Sequence, residues 1–99
     1  MLRYSASLAL WLLAFPLLAG DLEDGLAAYR TQDYPQALLL LHPLAERGEP
    51  AAQYTLGQMY RRGRGFIVSV AEALPLLQQA AAANYAPAWV ALGEMYESG

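Results

Sequence analysis

The 99-residue chain has no cysteine, a single histidine and no lysine, all six basic side chains being arginine. Without cysteine there is no disulfide framework, no thiolate zinc site and no cysteine-linked lipid. An oxidising compartment is compatible with such a chain, but the fold makes no use of it. One histidine, His42, cannot by itself assemble a catalytic or metal-binding set, and it reads as a polar-face or inter-helix hydrogen-bonding residue. Serines are few, and none sits in the strand–turn–helix elbow of a hydrolase nucleophile. Gly63-Arg64-Gly65 is glycine-rich but lacks the Lys-Ser/Thr ending and the preceding strand of a phosphate loop. Asp21, Glu23 and Asp24 are acids crowded at a helix start, where the macrodipole favours them without a cation. Together these absences argue against an enzyme, a metal site or a bound cofactor.

The first twenty residues differ from the rest. Arg3 is followed by an apolar run from about Leu8 to Ala19, then by Gly20-Asp21. That is the layout of a secretory signal peptide over 1–20, cleaved near Ala19 or Gly20. The run is shorter than the roughly 20 residues of a comfortable membrane span, and Pro16 interrupts it. The reading is an exported protein of the bacterial periplasm; the alternative is an inner-membrane anchor through residues 5–19. Beyond the leader five arginines face nine acids, a net charge of −4. That balance disfavours nucleic acid as a partner.

Ala and Leu dominate the remainder, and their pattern repeats. Ala52, Leu56, Gly57, Met59, Tyr60 and Gly63 recur 36 residues later as Ala88, Leu92, Gly93, Met95, Tyr96 and Gly99. The same shift carries Ala37, Leu38, Leu40, Leu41 and Ala45 onto Ala73, Leu74, Leu76, Leu77 and Ala81, giving eleven identities at one offset. Both segments place their apolar residues on one helical face. The unit is therefore a pair of antiparallel helices, and such pairs bury their stripes by stacking. Five helices are expected, at about 21–31, 34–47, 51–62, 70–83 and 87–97. Gly48 and Asn84 suit left-handed helix ends, Pro50 and Pro87 suit first turns, Asp33 can cap the second helix, and Ser69 with Glu72 forms a capping box. Pro43 and Pro75 fall inside helices and should kink them. "FIVSV" at Phe66–Val70 is apolar for a loop, and Phe66 or Ile67 is expected to tuck between helices.

Ala-x-x-x-Leu-Gly-x-Met-Tyr-x-x-Gly, followed by Gly65-Phe66, Ser69, Ala73 and Ala80-Ala81, resembles the Sel-one-like repeat family, the longer-loop branch of the tetratricopeptide-like proteins. The resemblance covers about 48–99. The hairpin before it, with its Asp33-Tyr34 turn and Ala37, is similar to a plain tetratricopeptide pair. Ser69 departs from the acid usual at its position, and Phe66 from a small aliphatic. The resemblance implies an all-α fold: a short right-handed α/α solenoid of stacked antiparallel helix pairs, about five helices after the leader. Its domain would run 21–99, with 21–48 a first hairpin, 49–84 a full repeat and 85–99 the first helix of another.

Family position also implies a protein-binding adaptor that holds a peptide or partner helix on its concave face. Carried onto this chain, the groove-facing positions include Ala51, Pro87 and Val90, and the ligand-facing set is Tyr54, Gln58, Arg61, Arg62, Glu94 and Glu97. The bland reading of Arg61, Arg62 and Arg64 is a helix C-terminus made favourable by cations. Tyr60 and Tyr96, on the repeated stripe, are expected in the core, whereas Tyr54 and Trp89 are free to be surface contacts. The last helix has no second helix to cover Ala88, Leu92, Met95 and Tyr96, so the alternatives are a structural protein that self-associates into a homo-oligomer through that face, or a piece of a longer repeat array.

Overall fold

The computed structural model describes residues 20–98, and these are all-helical apart from turns and one loop. The leader, its cleavage site, the anchor alternative and Gly99 lie outside the described residues, save Gly20. Helix α1 covers 20–30. It is followed by α2 (Tyr34–Glu46), α3 (Pro50–Arg62), α4 (Val70–Ala82) and α5 (Ala86–Ser98). The five expected helices are present, each within a few residues of its expected bounds. Among them no helix is long and apolar enough to cross a membrane.

The helix ends are set by local chemistry. At the end of α2 the Gly48 N–H donates to the Ala45 carbonyl and the Glu49 N–H to Leu44, both at 3.0 Å. At the end of α4 the Asn84 N–H donates to Ala81 at 2.9 Å and the Tyr85 N–H to Ala80 at 3.0 Å. Both pairs are Schellman closures, and they stand 36 residues apart like the core letters. A third closes α1, where the Gln32 N–H donates to Tyr29 at 3.1 Å and Asp33 to Ala28 at 2.8 Å. Gln32 and Asn84 take the left-handed conformation at φ 66° and 62°. The Asp33 carboxylate accepts from the Gln36 N–H and starts α2. At α4, Ser69 Oγ accepts from the Glu72 N–H at 3.2 Å. The capping box is only half made, because the Ser69 N–H donates instead to the Tyr60 carbonyl at 2.9 Å. Both α2 and α4 continue as single helices through Pro43 and Pro75.

Consecutive helices pack antiparallel. Gln53 at the start of α3 reaches Ala45 at the end of α2 and Gln79 at the end of α4. The glycine inside α3, Gly57, stands where a neighbouring helix comes close. A Cβ there would lie 2.9 Å from both Cγ and Cδ2 of Leu77 and 3.4 Å from the Ala73 carbonyl. Gly25 is equally tight, with Leu41 Cδ2 at 2.6 Å. Gly93, the copy of Gly57, has nothing within 4 Å. Two apolar clusters result: Ala28, Ala37, Leu41, Leu44, Ala52, Leu56 and Met59 join α1 to α3, and Leu77, Ala80, Ala81, Ala88, Ala91 and Leu92 join α4 to α5.

Of three expectations about burial, the first holds through Phe66 and the other two are corrected. In the 63–69 loop Phe66 tucks in, stacked on Tyr60 with ring centroids 3.9 Å apart and planes within 5°, while Ile67 is 92% exposed. Tyr96 is not core but 68% exposed, with none of the described residues packed over it as Phe66 is over Tyr60. Ala88 and Leu92, expected on the uncovered side of the last helix, are buried against α4, so the apolar side chains α5 leaves in solvent are Trp89, Val90 and Tyr96.

Candidate functional site

Helices α3 and α5, one offset apart, run side by side in the same direction. Their starts are joined by the rings of Tyr54 and Tyr85, with centroids 5.5 Å apart. Further along, Arg61 Nη2 donates to Glu94 Oε2 at 3.0 Å. Between these two contacts lies a groove of about 270 Å³ lined by Tyr54, Gln58, Arg62, Pro87, Val90, Ala91 and Glu94. Pro87, Val90 and Ala91 supply its apolar lining, and Tyr54, Gln58, Arg62 and Glu94 its polar lining.

The polar rim is internally wired. Gln58 Nε2 donates to the Tyr54 hydroxyl, and Arg61 Nη1 donates to Gln58 Oε1, both at 3.2 Å. With the Arg61–Glu94 pair this makes a continuous run from Glu94 through Arg61 and Gln58 to Tyr54. The residues lie at i, i+4 and i+7 on α3, so helical geometry brings them onto one face. Gln58 is only 5% exposed. Family position has it facing a ligand; burial makes it the residue that orients Tyr54 and Arg61. Among the described residues Arg61 pairs with Glu94 and His42 Nδ1 lies against the Glu46 carboxylate, and Arg62 belongs to neither contact. Its exposed guanidinium is thus the groove's uncommitted donor. Glu97 is exposed and stands outside the groove lining.

Tyr85 and Ala91 complete the site without having been expected there. Tyr85 follows the left-handed Asn84, a position where an apolar side chain commonly folds back on its helix; that was the available signal. Burial, the neighbouring Tyr54 phenol and the Glu49 carboxylate, in that order, raise the Tyr85 hydroxyl above its ordinary 10.0. The phenol therefore stays neutral at every physiological pH. His42, on the opposite side of the molecule, is exposed and places Nδ1 3.0 Å from Glu46 Oε1.

No protein-family model matches the chain, and no solved structure matches it. A stretch of 63 residues, 64% of the chain, is 40% identical to the uncharacterized protein NMB1327 of Neisseria meningitidis serogroup B. The match takes in 14% of that protein, so the chain spans about a seventh of its relative's length.

Proposed function

We propose that the chain is a Sel-one-like repeat module, a short right-handed α/α solenoid that binds a segment of a partner protein along the groove between α3 and α5. The observation that carries this reading is the groove itself. Four of the six side chains assigned to ligand contact by family position, Tyr54, Gln58, Arg62 and Glu94, line one groove together with Pro87, Val90 and Ala91. The repeated letters and the parallel course of α3 and α5 support the solenoid reading. Aromatic and arginine side chains beside apolar ones are the composition of interface hot spots. Available chemistry in the groove is hydrogen bonding and apolar contact: a donor at Arg62, an acceptor at Glu94, and the wall of Tyr54. That suits a short peptide with an apolar side chain flanked by an acidic one. With export through the 1–20 leader, this activity belongs to the periplasm.

Affinity capture from periplasmic extract, with quantitative mass spectrometry, tests the reading. Arg62→Glu removes the donor and leaves the internal run from Glu94 to Tyr54 intact. A partner retained by the unmodified chain should be lost at least tenfold with Arg62→Glu, and kept with Arg47→Glu on the far turn. Equal capture by both variants refutes the groove assignment. N-terminal sequencing of the exported protein tests the leader: a start at or near Gly20 is expected, and a start at Met1 refutes cleavage.

A further inference from the structure

The side chains along one face of α3 form a hydrogen-bonded run whose direction is fixed. Arg61 is its source. A guanidinium carries donors and no acceptor. Arg61 Nη2 donates to Glu94 Oε2 at 3.0 Å and Nη1 to Gln58 Oε1 at 3.2 Å. The second contact decides which way round the Gln58 amide stands, because the reversed amide would set its NH₂ group against the guanidinium, donor on donor. With Oε1 held by Arg61, Nε2 faces the Tyr54 hydroxyl at 3.2 Å. An amide nitrogen donates and does not accept, so the Tyr54 oxygen is the acceptor of that bond. Gln58 is only 5% exposed, and its protein neighbours rather than water set this orientation.

A phenol has a single hydrogen. That of Tyr54 takes no part in the bond with Gln58, and none of the described residues accepts it. The neighbouring Tyr85 meets Tyr54 ring to ring, with the planes tilted by 52°. Tyr54 lines the groove between α3 and α5, and so does Arg62. The α3 side of the groove therefore holds two available donors, one neutral and one cationic, while the Glu94 carboxylate opposite them is engaged by Arg61.

Resting on the groove reading above, we infer that Tyr54 is the donor that reads a carbonyl oxygen of the bound segment, and that Gln58 is a positioning residue that keeps the hydroxyl hydrogen free for it. Tyr54 and Arg62 are eight residues apart on α3, about 12 Å along its axis. An extended segment rises about 3.3 Å per residue. The carbonyl that meets Tyr54 and the acid that meets Arg62 thus stand about three or four residues apart. Gln58→Glu reverses the run. It preserves the shape and an oxygen for Arg61, but the second carboxylate oxygen takes the Tyr54 hydrogen and leaves a lone pair towards the groove. A merely structural role for Gln58 depends on shape; a positioning role depends on which atom donates.

A phage-displayed library of random seven-residue peptides, selected on the full 99-residue chain, supplies the probe, and the tightest peptide is titrated against the variants. Tyr54→Phe should weaken it about fivefold, the worth of one neutral hydrogen bond. The loss should again be about fivefold in a Gln58→Met background, where the hydroxyl keeps its hydrogen. In a Gln58→Glu background, where the carboxylate has taken that hydrogen, Tyr54→Phe should cost less than about twofold. Comparing Tyr54→Phe within each background cancels the charge that Gln58→Glu adds, and circular dichroism checks that each variant is folded. Equal losses in the Gln58→Met and Gln58→Glu backgrounds, or no loss in the unmodified chain, overturn the inference and leave the groove reading standing. A peptide whose binding survives Arg62→Glu, or a library that enriches nothing, overturns the groove reading and this inference with it.

Discussion

The same glycine occurs twice on the repeated stripe, and the two copies should answer the same substitution with opposite signs. Gly57→Ala brings a methyl group to 2.9 Å from both Cγ and Cδ2 of Leu77. Leu77 is fully buried, and because its branch carbon is struck as well as a terminal methyl, a rotation of the outer side chain does not relieve the contact. Overpacking of this kind costs typically about 1–3 kcal/mol. Removing a mid-helix glycine returns about 1 kcal/mol of propensity. The net is a destabilisation between about 0 and 2 kcal/mol. Gly93→Ala meets nothing within 4 Å, so only the propensity term remains, a stabilisation of about 1 kcal/mol. The two variants should therefore differ by about 1–3 kcal/mol. For a domain of this size each kcal/mol moves Tm by roughly 4–8 °C. Thermal and urea unfolding followed by circular dichroism measure the difference. If Gly57→Ala stabilises as much as Gly93→Ala does, the close approach of α4 to α3 at this glycine is refuted, and with it the view of Gly93 as an unfilled copy of that site.

Three further outcomes are expected. Ser69→Ala should cost about 1 kcal/mol, the value of a lost N-cap. Glu72→Gln should cost only a few tenths through the helix dipole, because the reciprocal half of the capping box is not made; urea unfolding separates the two. Phe66→Ala should lose the ring stack on Tyr60, about 0.5–1.5 kcal/mol beyond the area term, whereas the neighbouring Ile67→Ser should stay within about 0.5 kcal/mol, and equal effects would refute the tucked position of Phe66. Tyr85, whose hydroxyl is raised above its ordinary 10.0 chiefly by burial, contributes stability that is complete below that value and fades as pH rises through the raised one. Tyr85→Phe should flatten the alkaline loss in urea unfolding followed across about pH 9–12, and an unchanged profile would refute the assignment.

The parts of this molecule legible in its sequence are those that a local rule or a repeat dictates. Helix existence follows from apolar period and Ala/Leu content, and helix ends from Gly48, Asn84 and Gly63, since few other residues tolerate their backbone angles. The offset of 36 residues lets one helix pair predict the next, Schellman closures included. Gln32 escapes because glutamine carries no left-handed signature; the hydrogen bonds of the α1 end impose that conformation. Burial is harder to read, because it depends on which neighbour is present. Tyr60 and Tyr96 are the same letter on the same stripe. Phe66 covers the first, while no described residue covers the second. Gln58 reads as surface by its polarity, yet lies beneath the Tyr54 and Arg61 side chains that it binds. A repeat therefore transmits its fold from copy to copy but not its surroundings. The positions where the surroundings differ, Gln53 against Trp89 and Glu46 against Ala82, are where the last helix acquires an apolar face that its predecessor lacks.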